Sequence, residues 1–181
     1  MPGPDLVALW EAHCRYEFET RDVDATMATM VPAPYVNHVP TMTGGVGHDQ
    51  LKRFYKHHFI GGNPPDMGMT AVSRTVGADQ IVDEMIFSFT HTTEIDWLLP
   101  GVPPTGRKVE IPLVAIVRFV GDKVAHEHIY WDQASVLVQV GLLDPKGLPT
   151  AGVETARKVV DNSQPSNEMM KRWSSSANKP L

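Results

Sequence analysis

The second half of this sequence reads as two long β-hairpins, and that constrains the fold more than any other feature. Met69–Val76 and Ile81–Thr93 are separated by Gly77-Ala78-Asp79-Gln80, and Val109–Val120 and Lys123–Trp131 by Gly121-Asp122. Both separators carry turn chemistry suited to a hairpin, the second being the tighter. Side chains on a strand alternate between faces, so such a sheet has an apolar side that must be covered.

The residues before the hairpins supply the cover. Leu6, Leu9, Trp10, Cys14 and Phe18, with His13 partly, recur at spacings of three and four. That predicts an amphipathic helix from Asp5 to about Arg21, with Asp5 as its N-cap. A second helix over Asp22–Met30 puts Val23, Met27 and Met30 on one face, and Pro32 and Pro34 stop it. Tyr35–Val39 reads as a short strand or extended segment, Gly44–Gly47 as a loop. His48–Phe59 reads as a third helix with Leu51, Phe54, Tyr55 and His58 at helical spacing. Gly61-Gly62-Asn63-Pro64-Pro65 breaks the chain before the hairpins.

Asp132 to about Leu143 predicts a closing helix, which the Asp132 side chain caps. The expectation is an α+β fold: a cone-shaped barrel of highly curved antiparallel sheet wrapped around three N-terminal helices, over residues 1–145. Residues 146–181 are polar and read as an extension, an arm or a partly disordered segment, with Met169, Met170 and Trp173 as anchors for a neighbouring subunit. A sheet that curls around helices leaves an interior, where a ligand is expected.

Charge and composition remove several classes. The net charge is −5, from 16 basic and 21 acidic residues spread along the chain, so no basic stripe invites nucleic acid. Cys14 is the only cysteine, which excludes an intramolecular disulfide and a cysteine-based metal site. A reducing cytoplasm fits this, although a secreted protein without disulfides would read the same. Met1-Pro2-Gly3-Pro4-Asp5 lacks the basic and apolar regions of a signal peptide. No apolar run approaches the roughly 20 residues that cross a bilayer. A nucleophile elbow, a G-x-C-x-G context for Cys14 and the glycine-rich nucleotide motifs are all missing.

A family resemblance lies between Thr90 and Asp132. Thr90-His91-Thr92 is followed by Gly101-Val102-Pro103-Pro104-Thr105-Gly106-Arg107-Lys108-Val109-Glu110, then Val117-Arg118-Phe119, Gly121-Asp122-Lys123-Val124 and Tyr130-Trp131-Asp132. This progression resembles the SnoaL-like polyketide cyclases, and with the N-terminal helices the resemblance spans about 5–143. It implies a cone-shaped fold, a deep apolar pocket, frequent homodimers and ring closure without metal or cofactor. Some relatives carry out other lyase, isomerase or hydrolase steps, and the scaffold also hosts proteins that only bind.

The layout of Tyr35–Tyr55 is similar to that of ketosteroid isomerases. By that resemblance His38 stands where the proton-abstracting carboxylate would be, and Tyr55 where an oxyanion tyrosine would be. Ala115 stands where a protonated aspartate would be, so that device is absent. On the last strand Glu127, Ile129 and Trp131 share a face that the resemblance turns toward the pocket. Ile129 occupies the position of a catalytic aspartate in many cyclase relatives, which leaves Glu127 as the pocket carboxylate.

The candidate catalytic residues are therefore His38, Tyr55 and Glu127. Burial would raise the Glu127 carboxyl toward useful acid–base values, His38 titrates near neutrality, and Tyr55 would donate to a developing enolate. The competing readings are a surface ion pair for Glu127, a structural histidine for His38 and a core tyrosine for Tyr55. His58 at the pocket mouth, His91 in the Thr-His-Thr motif, Trp131 as an apolar wall, Met85 and Ala115 are the candidate substrate contacts. His126 and His128 lie two apart on the opposite strand face without a third ligand, so no metal is expected. The expected function is a cofactor-free cyclase, isomerase or lyase acting through an enolate on a small apolar carbonyl or polyphenolic compound. A retro-aldol lyase and a non-catalytic small-molecule-binding protein are the alternatives. A homodimer through the exposed sheet face is expected as well.

Overall fold

The computed structural model describes residues 3–180, so Met1, Pro2 and Leu181, with the parts of the leader and tail expectations that rest on them, lie outside the described residues. Helix α1 (Leu6–Phe18) starts at Asp5, whose carboxylate accepts the Ala8 N–H at 3.0 Å, and α2 (Val23–Ala28) starts at Asp22, which accepts from Ala25 at 3.0 Å. Each cap satisfies an amide that has no partner within its helix. Leu6, Trp10, His13 and Glu17 are the buried residues of α1, so its inward stripe carries two titratable groups.

Strand β1 (Met30–His38) begins before the point the prolines suggest, at the residue expected to end the second helix. Its pairing is interrupted between Met30 and Tyr35, where Pro32 and Pro34 have no N–H to give to a ladder. Strand β2 (Thr43–Val46) pairs antiparallel with β1, and α3 (His48–Phe54) lies against it. Gly45 permits that approach: a Cβ there would sit 2.7 Å from the Leu51 Cα. The third helix runs on as expected, but Tyr55–Phe59 form a π-helical turn, closed by Ile60 N–H on the Tyr55 carbonyl at 3.0 Å.

Both hairpins form, as β3 (Gly68–Val76) with β4 (Gln80–Thr90) and β5 (Lys108–Val120) with β6 (Lys123–Trp131). The sheet order is β2-β1-β6-β5-β4-β3. Two expectations are corrected here. β1 runs parallel to β6, so the sheet is mixed rather than antiparallel, and it stays open, with β2 and β3 as its edges, instead of closing into a barrel. The four residues of β2 are a short edge, and nothing among the described residues pairs with the outer side of β3.

The chain between β4 and β5 buries Ile95, Trp97, Leu98 and Leu99 at one end of the fold. It is tied there by the hydroxyls of Thr41 and Thr43, which donate to the Trp97 carbonyl at 2.7 and 2.9 Å, and by Gln133, which donates to the Leu98 carbonyl at 2.9 Å. Helix α4 (Gln133–Val140) is capped by Asp132 as expected. The supposed arm is partly structured. Helix α5 (Glu154–Val160) buries Ala156, and the Ser135 hydroxyl donates to the Gly152 carbonyl at 2.8 Å. Further on, Met169, Met170 and Trp173 are exposed. Among the described residues no helix is long and apolar enough to cross a membrane.

Candidate functional site

Sheet register places the site. His38 on β1 is level with Ile129 on β6, Ile129 with Ala115 on β5, Ala115 with Asp83 on β4, and Asp83 with Arg74 on β3. Two residues back along β6, on the same face, Glu127 is level with Val36 and Val117. These rows form the floor of a cavity of about 520 Å³, and α1 and the π-helical turn form its roof. His38, Tyr55, Glu127, Met85 and Ala115 all line it.

The polar groups sit in two clusters. In the inner one the Tyr55 hydroxyl donates to Glu127 Oε1 at 3.3 Å, with both residues buried. Glu127 Oε1 also lies 3.2 Å from His13 Nε2, and Glu17 Oε1 lies 3.0 Å from the same nitrogen. His13 Nδ1 meets the Thr29 hydroxyl at 2.5 Å. That hydroxyl gives its own proton to the Thr26 carbonyl at 2.6 Å, so Nδ1–H must be the donor. With Nδ1 protonated and Nε2 facing two carboxylates, His13 is an imidazolium. Burial by itself would lower its pKa, but Glu17 and Glu127 outweigh it and raise it to about 10. Burial raises the Glu17 carboxyl, against the pull of the His13 charge. Burial and the charge of Glu127 push the Tyr55 hydroxyl well above its ordinary range, which keeps it a proton donor.

His38 behaves differently from the expectation of a near-neutral titration. It is enclosed by the rings of Phe54, Phe59, Trp97 and Trp131 at 4.8–6.0 Å, and burial lowers its pKa to about 4 despite Glu127 and the Thr43 carbonyl. Nδ1–H donates to that carbonyl at 3.3 Å, which leaves Nε2 with the lone pair.

The second cluster stands on the more exposed wall. Arg74 holds Asp83 through two bonds of 2.6 and 2.9 Å and reaches Glu11 at 3.0 Å, while the Trp10 indole N–H donates to Asp83 at 2.8 Å. Asp83 and Glu11 raise the Arg74 pKa still further, so it remains a cation.

Three expected contacts lie elsewhere. His58 pairs with Asp96 at 2.8 Å beside a separate shallow hollow, because the π-helical turn directs it away from Tyr55. His91 is buried against Thr105 in the β4–β5 connection. Trp131 packs on Trp97 and His38 behind the lining. The residues that sequence reasoning passed over are His13, Glu17 and Asp83. A histidine and a glutamate four apart on an otherwise apolar helix stripe were the available signal for the first two. For a metal, the set with suitable spacing among the described residues is His13, Glu17 and Glu127, whose ligand atoms lie within 4.8 Å of one another; a cation there would have to displace the Nε2 proton. His126 and His128 pack with Tyr35 on the outer face, and no third ligand joins them among the described residues.

A helix-roofed, curved sheet over a cavity gives this protein the α+β fold of the ketosteroid isomerase-like and nuclear transport factor-like solved structures. The sequence profile of the SnoaL-like domain matches residues 10–127, well over half of the chain, and the protein belongs to that family. No curated protein sequence matches it. Among solved structures it is similar to a candidate SnoaL-like polyketide cyclase from Jannaschia Sp. CCS1, at 20% identity and a TM-score of 0.58 over 80% of this chain and 99% of the other. AclR from Streptomyces galilaeus, a candidate hydroxylase, is 20% identical with a TM-score of 0.56 over 76% and 85%. A protein of ketosteroid isomerase-like fold from Catenulispora acidiphila DSM 44928, in complex with trimethylamine, is 15% identical with a TM-score of 0.55 over 78% and 96%. At these identities the likeness speaks for the fold.

Proposed function

We propose that the cavity is the active site of a cofactor-independent acid–base enzyme, a cyclase, isomerase or lyase, that forms an enolate-like intermediate from a small apolar or aromatic carbonyl or polyphenolic compound. The observation that carries this reading is the buried Tyr55–Glu127 hydrogen bond in the cavity wall, with His38 beside it. Glu127 removes a proton from carbon next to a carbonyl. Tyr55, which stays protonated, donates to the oxygen that gains charge. Neutral His38 offers a second proton acceptor through Nε2. Met85 and Ala115 contact the apolar body of the ligand.

Retro-aldol cleavage uses the same groups in reverse and remains the alternative reaction. The outer sheet face, with Tyr35, His126 and His128, is the proposed homodimer surface, and light scattering at micromolar concentration tests it. The chemistry is tested by deuterium exchange from heavy water into a panel of carbonyl compounds. Wild-type protein exchanges at least one member, and Glu127→Gln slows that exchange by about a hundredfold or more. Exchange that survives Glu127→Gln removes Glu127 from the mechanism, and a panel without any exchange leaves a binding protein.

A further inference from the structure

The inner cluster contains more than the proposed reaction uses. Glu17 and Glu127 both line the cavity, yet a single ring nitrogen, His13 Nε2, faces them at 3.0 and 3.2 Å. His13 itself does not line the cavity. It stacks on Trp10 at 5.3 Å, meets the edge of Tyr55 at 6.4 Å, and is anchored through Thr29 to the end of α2. The ring is therefore held from behind while its Nε2 proton lies between two carboxylates.

We propose that Glu17 is a second catalytic carboxylate, coupled to Glu127 through the His13 ring, so that the site moves a proton from one ligand atom to another. The inference rests on the acid–base reading above. In the first step a ligand C–H bond breaks, its electron pair stays on the ligand as the enolate, and the proton goes to Glu127. His13 then passes its Nε2 proton to Glu17 and takes the proton from Glu127, ending in the state in which it began. Glu17 delivers its proton to a second ligand atom: either the enolate electrons shift along the carbon chain and form the new C–H bond there, or they form a C=C bond while the breaking C–O bond's electron pair leaves with the hydroxyl, which takes the proton and departs as water. No electron is gained or lost overall. The raised pKa of the Glu17 carboxyl suits a proton donor. His13 is a positioning residue in this scheme.

The two carboxylates present oxygens within 4.8 Å of each other. Both glutamates also line the cavity, so two ligand atoms in a 1,3 relation can each face one of them from the cavity side. The ligand class is thus narrowed to β,γ-unsaturated or β-hydroxy carbonyl compounds, whose acidic carbon and proton-accepting atom stand in that relation.

The test uses the full chain with cyclohex-3-enone in heavy water, following by NMR both deuterium entry at C2 and conversion to cyclohex-2-enone. Wild-type protein does both. Glu127→Gln loses both, by about a hundredfold or more. Glu17→Gln loses conversion by about a hundredfold while deuterium entry falls by less than about tenfold. If Glu17→Gln does not fold by circular dichroism, the same split is read in Glu17→Asp. A separate reading uses ¹⁵N-histidine NMR: His13 carries two protonated ring nitrogens at pH 8, and Glu17→Gln lowers its titration by about one unit or more. Equal loss of both steps in the Glu17 variants, conversion at the wild-type rate, or an unmoved His13 titration overturns the role of Glu17 and leaves that of Glu127 standing. Failure of the whole carbonyl panel to exchange overturns both.

Discussion

The inner and outer charge clusters are built from the same kinds of parts and differ in their access to water. Each joins α1 to the sheet, and each sets one cation against two carboxylates: His13 with Glu17 and Glu127, and Arg74 with Asp83 and Glu11. The inner side chains are 0, 4 and 5% exposed, whereas Arg74 is 32% and Glu11 64% exposed. Water screens the outer pair, so its strength lies mostly in the forked bond to the buried Asp83. In the inner cluster each charge depends on the others because solvent cannot replace a lost partner. Burial thus converts an ordinary ion pair into a set of charges that stand or fall together.

The largest expected effect comes from breaking the inner cluster. His13→Ala leaves two buried carboxylates without their cation and lowers stability by about 3–5 kcal/mol at neutral pH, measured by urea unfolding. A loss below about 1 kcal/mol would mean that water reaches the cluster. Next comes pH. The folded pKa of His13, about 10, lies above the ordinary 6.5, so its contribution is complete below pH 6.5 and disappears as pH rises through 10. Wild-type stability should fall by a few kcal/mol across that window, and the fall should be absent in His13→Ala.

The outer cluster is expected to respond less. Arg74→Ala leaves Asp83 with only the Trp10 donor and costs about 1–2 kcal/mol. Trp10→Phe removes that donor and costs about 1 kcal/mol for the hydrogen bond, with Asp83 still held by Arg74. Glu11→Gln changes stability by about 0.5 kcal/mol or less, and added salt should erase the difference. If Glu11→Gln proved as damaging as His13→Ala, the contrast between the clusters would collapse.

What could be read in the sequence follows from the range of the interactions involved. The two hairpins, the three early helices and the Asp5 and Asp132 caps depend on near neighbours, and all were legible. The start of β1 was not, because Pro32 and Pro34 mark both a helix stop and a strand without donors. The parallel pairing of β1 with β6 joins residues about ninety apart, and no local pattern encodes it. In the site, His38, Tyr55 and Glu127 do converge on one cavity. His13 and Glu17 escaped because an apolar stripe hides the polar residues within it, and Asp83 because its partner Arg74 lies across a hairpin. His58 was misplaced by a π-helical turn that ordinary helical spacing does not anticipate.

The position of β6 between β1 and β5 has a consequence for how the protein is made. As the chain leaves the ribosome, the segment carrying His38 has only the short β2 to pair with until residues 123–131 have emerged. Until then the apolar stripe of α1 lacks its Glu127 partner, and the buried imidazolium lacks half of its counter-charge. Assembly of the cavity is therefore a late, long-range event, slow beside local hairpin closure. Nascent chains that stall before β6 would expose the stripe to chaperones and proteases.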